Sequence, residues 1–488
     1  MKVFNLVIVF LFLGFSISFA EEFRLKNGEV ITGEKIGEEE GFIVLKTQYG
    51  NLQVDKKEIQ EKPQMRIKVE ELVASIRPDT KELIPSKNIV GMHRWLLNQM
   101  NQNTGLVESY RPTVDLMLNN QAATYDQALA GLVFLVLDDA KNAKKILEFY
   151  ENKWDGKGFC NFYFTLDGES GIESTRHLGP NMWIALLALH YERITGQRDY
   201  RQLVCDMVSW AMTLPHYKGG AAMSDKDEWR APWSKVVSTE NNIDYYSVLN
   251  ILEARIDDKV LKEKIKIEKD GVKVFLLKTA YDKTTGGVNR GYHSGVIDRE
   301  QALDTITWLV ASMGIENLRK DGINIGKLIA CAERKFRVND KGISGFDFTD
   351  KRGAIRADRP RMISIEWSLG MINLYCIYRN YIVSLGHEQE RIGNAKKAKE
   401  IFKRADIYEH KISYYIKQID KTMMVSETQE GMISYPYATE AYKMVFYDSL
   451  WWKTPKDGPD GMPAGSAAST AWRVFVGRFN PLIGDGRI

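Results

Sequence analysis

Five times between Tyr125 and Trp367, at steps of roughly 60 residues, a cluster of acid, amide and aromatic side chains opens an apolar run, the period of a helical-hairpin array. The clusters are Thr124-Tyr125-Asp126-Gln127, Gly179-Pro180-Asn181-Met182-Trp183, Ser238-Thr239-Glu240-Asn241-Asn242-Ile243-Asp244, Leu303-Asp304-Thr305-Ile306-Thr307-Trp308 and Ser364-Ile365-Glu366-Trp367. A sixth, Ser469-Thr470-Ala471-Trp472, follows after a longer interval. If alternate helices line one cavity, all six clusters meet at its mouth, and chemistry is expected there.

The spacing of apolar residues predicts twelve helices, over 87–101, 121–137, 140–153, 181–195, 199–213, 239–256, 259–279, 300–318, 324–337, 363–384, 394–420 and 466–478. The second, fourth, eighth and tenth are apolar around most of their circumference, as in Ala128-Leu129-Ala130-Gly131-Leu132-Val133-Phe134, which suits burial on nearly all sides. Odd-numbered helices carry one charged face, for example Lys141, Lys144, Lys145 and Glu148. The pattern predicts a mainly α fold, an inner ring of even helices inside an outer ring of odd ones. Inner helices then run in one direction and share an end. Long segments leading into them, around 158–168, 342–348 and 433–465, should decorate that rim, where binding residues commonly sit.

Ahead of this domain, residues 1–20 combine Lys2, an apolar stretch to Phe15 and compact Ser18 and Ala20, the layout of a secretory signal peptide. They predict an exported protein, periplasmic or extracellular. Residues 21–60 alternate in short runs around Lys26-Asn27-Gly28 and Tyr49-Gly50-Asn51 turns. They resemble the small SH3-like or Sm-like all-β barrels at the front of some exported bacterial proteins, with docking to the cell envelope as the expected use. A proline-marked linker is expected over 61–85, and the helical domain over 86–482. With 67 basic and 64 acidic residues interspersed, no nucleic-acid role is expected. Four scattered cysteines and seven histidines without HxH or HxxxH spacing predict buried free thiols and no metal or cofactor site.

The ordered set Tyr-Asp-Gln-Ala, Gly-Pro-Asn-x-Trp, Ser-Thr-Glu-Asn-Asn-x-Asp, Leu-Asp-x-x-x-Trp, Glu-Trp-x-x-Gly and Ser-Thr-Ala-Trp, followed by Asn480-Pro481, resembles bacterial members of the six-hairpin glycosidase superfamily. The resemblance implies an (α/α)6 toroid with a carbohydrate cleft at the N-terminal end of the inner helices. It also implies a choice among inverting glycoside hydrolases, unsaturated-uronide hydrolases, lyases, epimerases and phosphorylases, because fold alone does not fix reaction.

The clusters themselves carry plausible sugar chemistry. Thr124 and Gln127 match a capping box, and Asp126 complements the helix dipole. Glu240 and Asp244, four apart, share a helical face, so each raises the proton affinity of the other. Asp304 with Trp308, and Glu366 with Trp367, pair an acid with an aromatic plate suited to the apolar face and hydroxyl edge of a pyranose. Tyr125, Asn181, Trp183, Asn241, Asp244, Trp308, Trp367 and Trp472 are the expected substrate contacts. Glycoside hydrolysis needs an acid for the leaving oxygen and a carboxylate for water. Glu240 is expected as general acid and Asp126 as base, with Asp304 and Glu366 as replacements or substrate binders; the resemblance implies inversion. A lyase or epimerase on the same scaffold, and a non-catalytic glycan-binding envelope protein, remain open on sequence alone. His177, Arg359, Arg361 and Tyr435 fall in rim loops and receive no role.

Overall fold

The computed structural model describes residues 21–24, 30–39, 41–47, 50–57, 86–111, 117–227, 232–426, 431–440, 443–446, 449–453 and 464–486. The expected signal peptide, the expected linker and the Lys26-Asn27-Gly28 turn lie outside them. The chain divides into two compact units, Met1–Lys68 and Val69–Ile488.

The first unit is an antiparallel meander of β1 (Glu21–Arg24), β2 (Val30–Glu39), β3 (Phe42–Thr47) and β4 (Gly50–Asp55), each strand paired only to its sequence neighbours. Leu45 and Val54 are buried. The expected barrel is therefore, among the described residues, an open four-stranded sheet.

The second unit begins with α1 (Ser86–Gln99) and continues as α2 (Thr124–Val136), α3 (Ala140–Lys153), α4 (Leu178–Thr195), α5 (Arg201–Ala211), α6 (Thr239–Glu253) and α7 (Lys259–Val274). Then follow α8 (Leu303–Met313), α9 (Ile315–Lys320), α10 (Ile325–Phe336), α11 (Lys351–Arg356), α12 (Ile365–Arg391), α13 (Ala395–Ile419) and α14 (Ala467–Phe475). Every helix expected from periodicity is present. One is split: the 300–318 run breaks at Gly314, whose φ of 76° and ψ of 149° suit glycine alone, and α9 starts in a new direction.

Helices α2, α4, α6, α8, α12 and α14 each touch the next, and α14 returns to α2. They are the inner ring. Its apolar sequences are explained by position: all residues of α8 are buried, whereas outer α3 buries only the stripe Asn142, Ala143, Ile146, Leu147 and Tyr150.

A cyclic set of hydrogen bonds closes the ring at one end. The first backbone N–H of each inner helix has no partner within its own helix. Here each donates to a carbonyl in the segment leading into the next inner helix: Thr124 to Asn161, Leu178 to Met223, Thr239 to Arg290, Leu303 to Phe348, Ile365 to Tyr437, and Ala467 back to Ser109, all at 2.8–3.0 Å. Two residues before each acceptor, the same segment is clamped to its own inner helix. Gln127 binds both backbone groups of Val107, Asn181 those of Phe159, Asn242 those of Ala221 and Ser368 those of Phe346. Thr470 accepts from Tyr435 and Thr305 donates to Val288. The expected capping box at Thr124 and Gln127 is accordingly absent. Gln127 is occupied by Val107, Thr124 donates to the Cys160 carbonyl, and Ala123 makes no side-chain cap.

Candidate functional site

Because the ring is built from six repeated contacts, equivalent positions in the six inner helices surround one axis. Their second residues are Tyr125, Gly179, Glu240, Asp304, Glu366 and Ala468. Three acids on consecutive helices therefore converge, with Tyr125 closing the circle. The Tyr125 hydroxyl donates to Glu366 Oε1 at 2.6 Å, joining residues 241 positions apart in sequence.

Glu240 and Asp304 lie beside each other on the wall of one narrow cleft. Ser238, Arg290, Glu300, Thr349, Arg359 and Trp367 are among the other residues that line it. Glu240 is half-buried, while Asp126, Asp244, Asp304 and Glu366 are only 1–3 % exposed. Among the described residues no ion pair reaches any of these five acids. The lining arginines are engaged elsewhere, Arg290 with Asp298 and Glu300 and Arg359 with Asp347.

Withdrawal from water without a compensating cation favours the neutral carboxyl. Burial pushes Glu240 up to about 7, while a hydrogen bond shared with Asp304 pulls it back. Asp304 is held well above the usual carboxylate range by burial and then by Glu240. Asp244 is raised by burial and by Glu240, one turn away, with the Trp183 indole offering it a donor outside regular geometry. Burial pushes Glu366 up to about 8, against the hydrogen bond from Tyr125 and with the charges of Asp126 and Glu240. Asp126 reaches about 7 through burial, held back by the Ser109 hydroxyl. Glu366 thus links the Asp126 side of the ring to the Glu240 side, and the basin can hold and exchange protons near neutral pH.

The aromatic residues divide by depth. Trp183, Trp308 and Trp472 are buried and pack on one another, Trp308 and Trp472 stacked at 5.9 Å and Trp183 edge-on to both. They form a floor beneath the acids, so the expected sugar platforms at these three positions are core. Each indole is flanked by other rings and has no open face for a pyranose. Trp367 alone of the four lines the cleft, half-buried and edge-on to Phe348. Asn181 is also corrected: it is fully buried, and its side chain is used up by Phe159 and the His177 carbonyl. Asn241 is buried against Gly179, where a Cβ would come within 2.5 Å of its Nδ2.

Four residues at the rim escaped the sequence reading: Ser109 beside Asp126, Arg290 in the cleft wall, Phe348 against Trp367, and Tyr437 beside Glu366. Each is one of the six carbonyl acceptors of the cyclic network. Their common signal is structural, two residues past a clamped position, and those segments share no sequence motif. The unassigned loop residues are structural as well: Arg359 and Arg361 grip Asp347, Tyr435 donates to Asp420, and buried His177 pairs with Asn161.

No protein-family model and no curated protein sequence matches the chain. Among solved structures it is similar to a sugar epimerase from a ruminal bacterium, with a TM-score of 0.51 and 10% identity over 84% of this chain and 98% of that one. It is also similar to a D-mannose isomerase (TM-score 0.51, 9% identity, 79% and 95% covered) and to an alpha-amylase from Clostridium perfringens (TM-score 0.50, 9% identity, 82% and 98% covered). The likeness is one of fold: the six-hairpin (α/α)6 architecture shared by glycosidases, sugar epimerases and isomerases.

Proposed function

We propose that this chain is a glycoside hydrolase that cleaves an oligo- or polysaccharide with inversion. Glu240 gives its proton to the departing glycosidic oxygen. A second basin carboxylate takes a proton from water, whose oxygen bonds to the anomeric carbon as the old C–O bond breaks. The observation that carries the reading is the state of Glu240. Of the five basin acids it is the half-buried one, it stands on the cleft wall, and burial raises its proton affinity to about 7, into the range where a carboxyl can serve as a general acid.

Epimerisation or elimination would instead need a base able to abstract a proton from a sugar carbon. Among the described residues the cleft lining holds no histidine, and His177 is buried against Trp233 with its proton affinity pushed down to about 3 by burial. Tyr125 and Tyr437 are both held well above the ordinary phenol range, first by burial and then by Glu366, so neither is an ionised base. These features support hydrolysis over its rivals.

Incubation with a panel of plant and bacterial oligosaccharides in H2 18O is the test. Hydrolysis puts one 18O on the anomeric carbon of the released sugar, with the configuration inverted in the first-formed product. An unlabelled unsaturated product absorbing in the ultraviolet, or an unlabelled rearranged sugar of unchanged length, would replace the proposal by a lyase or an epimerase. Glycans bound and recovered intact would mark a binding protein.

A further inference from the structure

A second hollow, lined by Arg290, His293, Val296, Asp298, Arg299 and Arg356, shares Arg290 with the cleft of Glu240 and Asp304. Most of it comes from one hairpin, Gly291–His293 paired with Val296–Asp298, whose Ser294-Gly295 tip has both φ angles positive, as a two-residue turn between twisted strands requires. The hairpin is fixed to the rim of the ring. Its first strand pairs with Val236–Ser238, directly ahead of α6, and the Arg290 carbonyl takes the N–H of Thr239, the residue before Glu240.

The charges in this hollow are unequally satisfied. Arg290 binds Asp298 and Glu300, each at 2.8 Å, Arg356 reaches Glu300 at 3.0 Å, and His293 Nε2 lies 3.3 Å from Asp298. The close seat of α11 brings Arg356 there, since a Cβ on Gly353 would come within 2.6 Å of Glu300 Oε1. Asp350 is turned away to cap α11. Arg299, between the two acids in sequence, is exposed and has no hydrogen bond or ion pair among the described residues. Asp298 and Glu300 are thus occupied by other cations, and neither is left for it. A guanidinium presents a planar fork of donors that matches a carboxylate or a sulfate. Val296, 69 % exposed, adds apolar surface to the same hollow.

We propose that this hollow is a subsite for an anionic substituent of the glycan, a ring carboxylate or a sulfate ester, held by Arg299 in the field of Arg290 and Arg356. The substrate is then an acidic oligo- or polysaccharide. This rests on the hydrolase reading and deepens it by naming the substrate class. One sugar of the bound chain presents its glycosidic oxygen to Glu240, and a neighbouring sugar lays its C–H face on Val296 and its anion on Arg299. Arg299 touches the substrate away from the reacting atoms, so it sets specificity.

The test is calorimetric titration of the full-length protein with matched oligosaccharides: a uronate-containing chain and its carboxyl-reduced form, and a sulfated chain and its desulfated form. One acidic member should bind ~10-fold more tightly than its neutral counterpart at low ionic strength, by a margin that shrinks as salt is added; which member does so identifies the anion. Arg299→Gln should weaken that binding ~5–20-fold and leave the neutral chain within about twofold. Arg299→Lys, which keeps the charge and loses the fork, should fall between. If no acidic chain binds in preference to its neutral counterpart, or if the preference survives intact in Arg299→Gln, the subsite is overturned. An acidic chain that binds through Arg299 and is never cleaved would remove the hydrolase reading and leave the subsite standing. Neutral chains bound and cleaved as readily as acidic ones would do the reverse.

Discussion

Asp244 lies one helical turn below Glu240, 1 % exposed, with neither carboxyl oxygen in a regular hydrogen bond among the described residues. Its proton affinity is raised in the fold, so between the ordinary carboxylate value and the raised one the folded chain holds a proton that the unfolded chain has released. Stability attached to this group is full below pH ~4 and declines as pH rises. Asp244→Asn should therefore stabilise the protein by about 1–3 kcal/mol at pH 8 and by much less at pH 4, measured by urea unfolding at both pH values. Equal effects at the two pH values would mean that ionisation is not the cost. At this scale the sequence was informative where residue type and helix phase coincide: Glu240, Asp304, Glu366 and Tyr125 all occupy second positions of inner helices. It was ambiguous where one residue type serves two ends, as with Trp183, Trp308 and Trp472 in the floor and Asn181 in a clamp. A tryptophan in an apolar run has the same local pattern above or below a cleft.

The clamps are the element-scale counterpart, since each ties a rim strand to an inner helix through one side chain. Asn181→Ala would leave the buried N–H and C=O of Phe159 unpaired and should cost about 2–4 kcal/mol. Asn181→Ser, too short to span both groups, should recover little of it; full thermal stability in either variant would show the clamp to be dispensable. Gly179→Ala tests the adjoining contact, because the added methyl meets the Asn241 side chain at 2.5 Å beside Asp244. A loss of 1–3 kcal/mol is expected, read from the same unfolding curves. All twelve helices were legible from apolar spacing, and the short α9 and α11 were not. Their six residues each are too few to show a period, and a single backbone angle at Gly314 decides where α8 ends. The front sheet was legible as strands, and the pairing of their edges was not, because alternation within a strand says nothing of which edges meet.

For the whole molecule, opposing groups set the pH of greatest stability. Asp139 is held below the usual carboxylate range; burial would raise it, but hydrogen bonds from His93 and Asn142 outweigh that, so its contribution is present above pH ~4 and lost as pH falls further. The basin acids act in reverse: their contribution is full below pH ~4 and is lost as pH climbs to the raised values, near 7 for Asp126 and Glu240 and near 8 for Glu366. The melting temperature should be highest near pH 4 to 5 and fall as pH rises toward about 8; a maximum at or above pH 8 would contradict the raised affinities. The ring that imposes this cost is the same one that brings the acids together, and the proposed hydrolysis rests on that convergence. Its direct test is Glu240→Gln, assayed for cleavage of the glycan identified in the 18O screen and for affinity by calorimetry. The proposal predicts turnover reduced by ~10²–10⁴ with the dissociation constant within about threefold of wild type. Cleavage at the wild-type rate would contradict it.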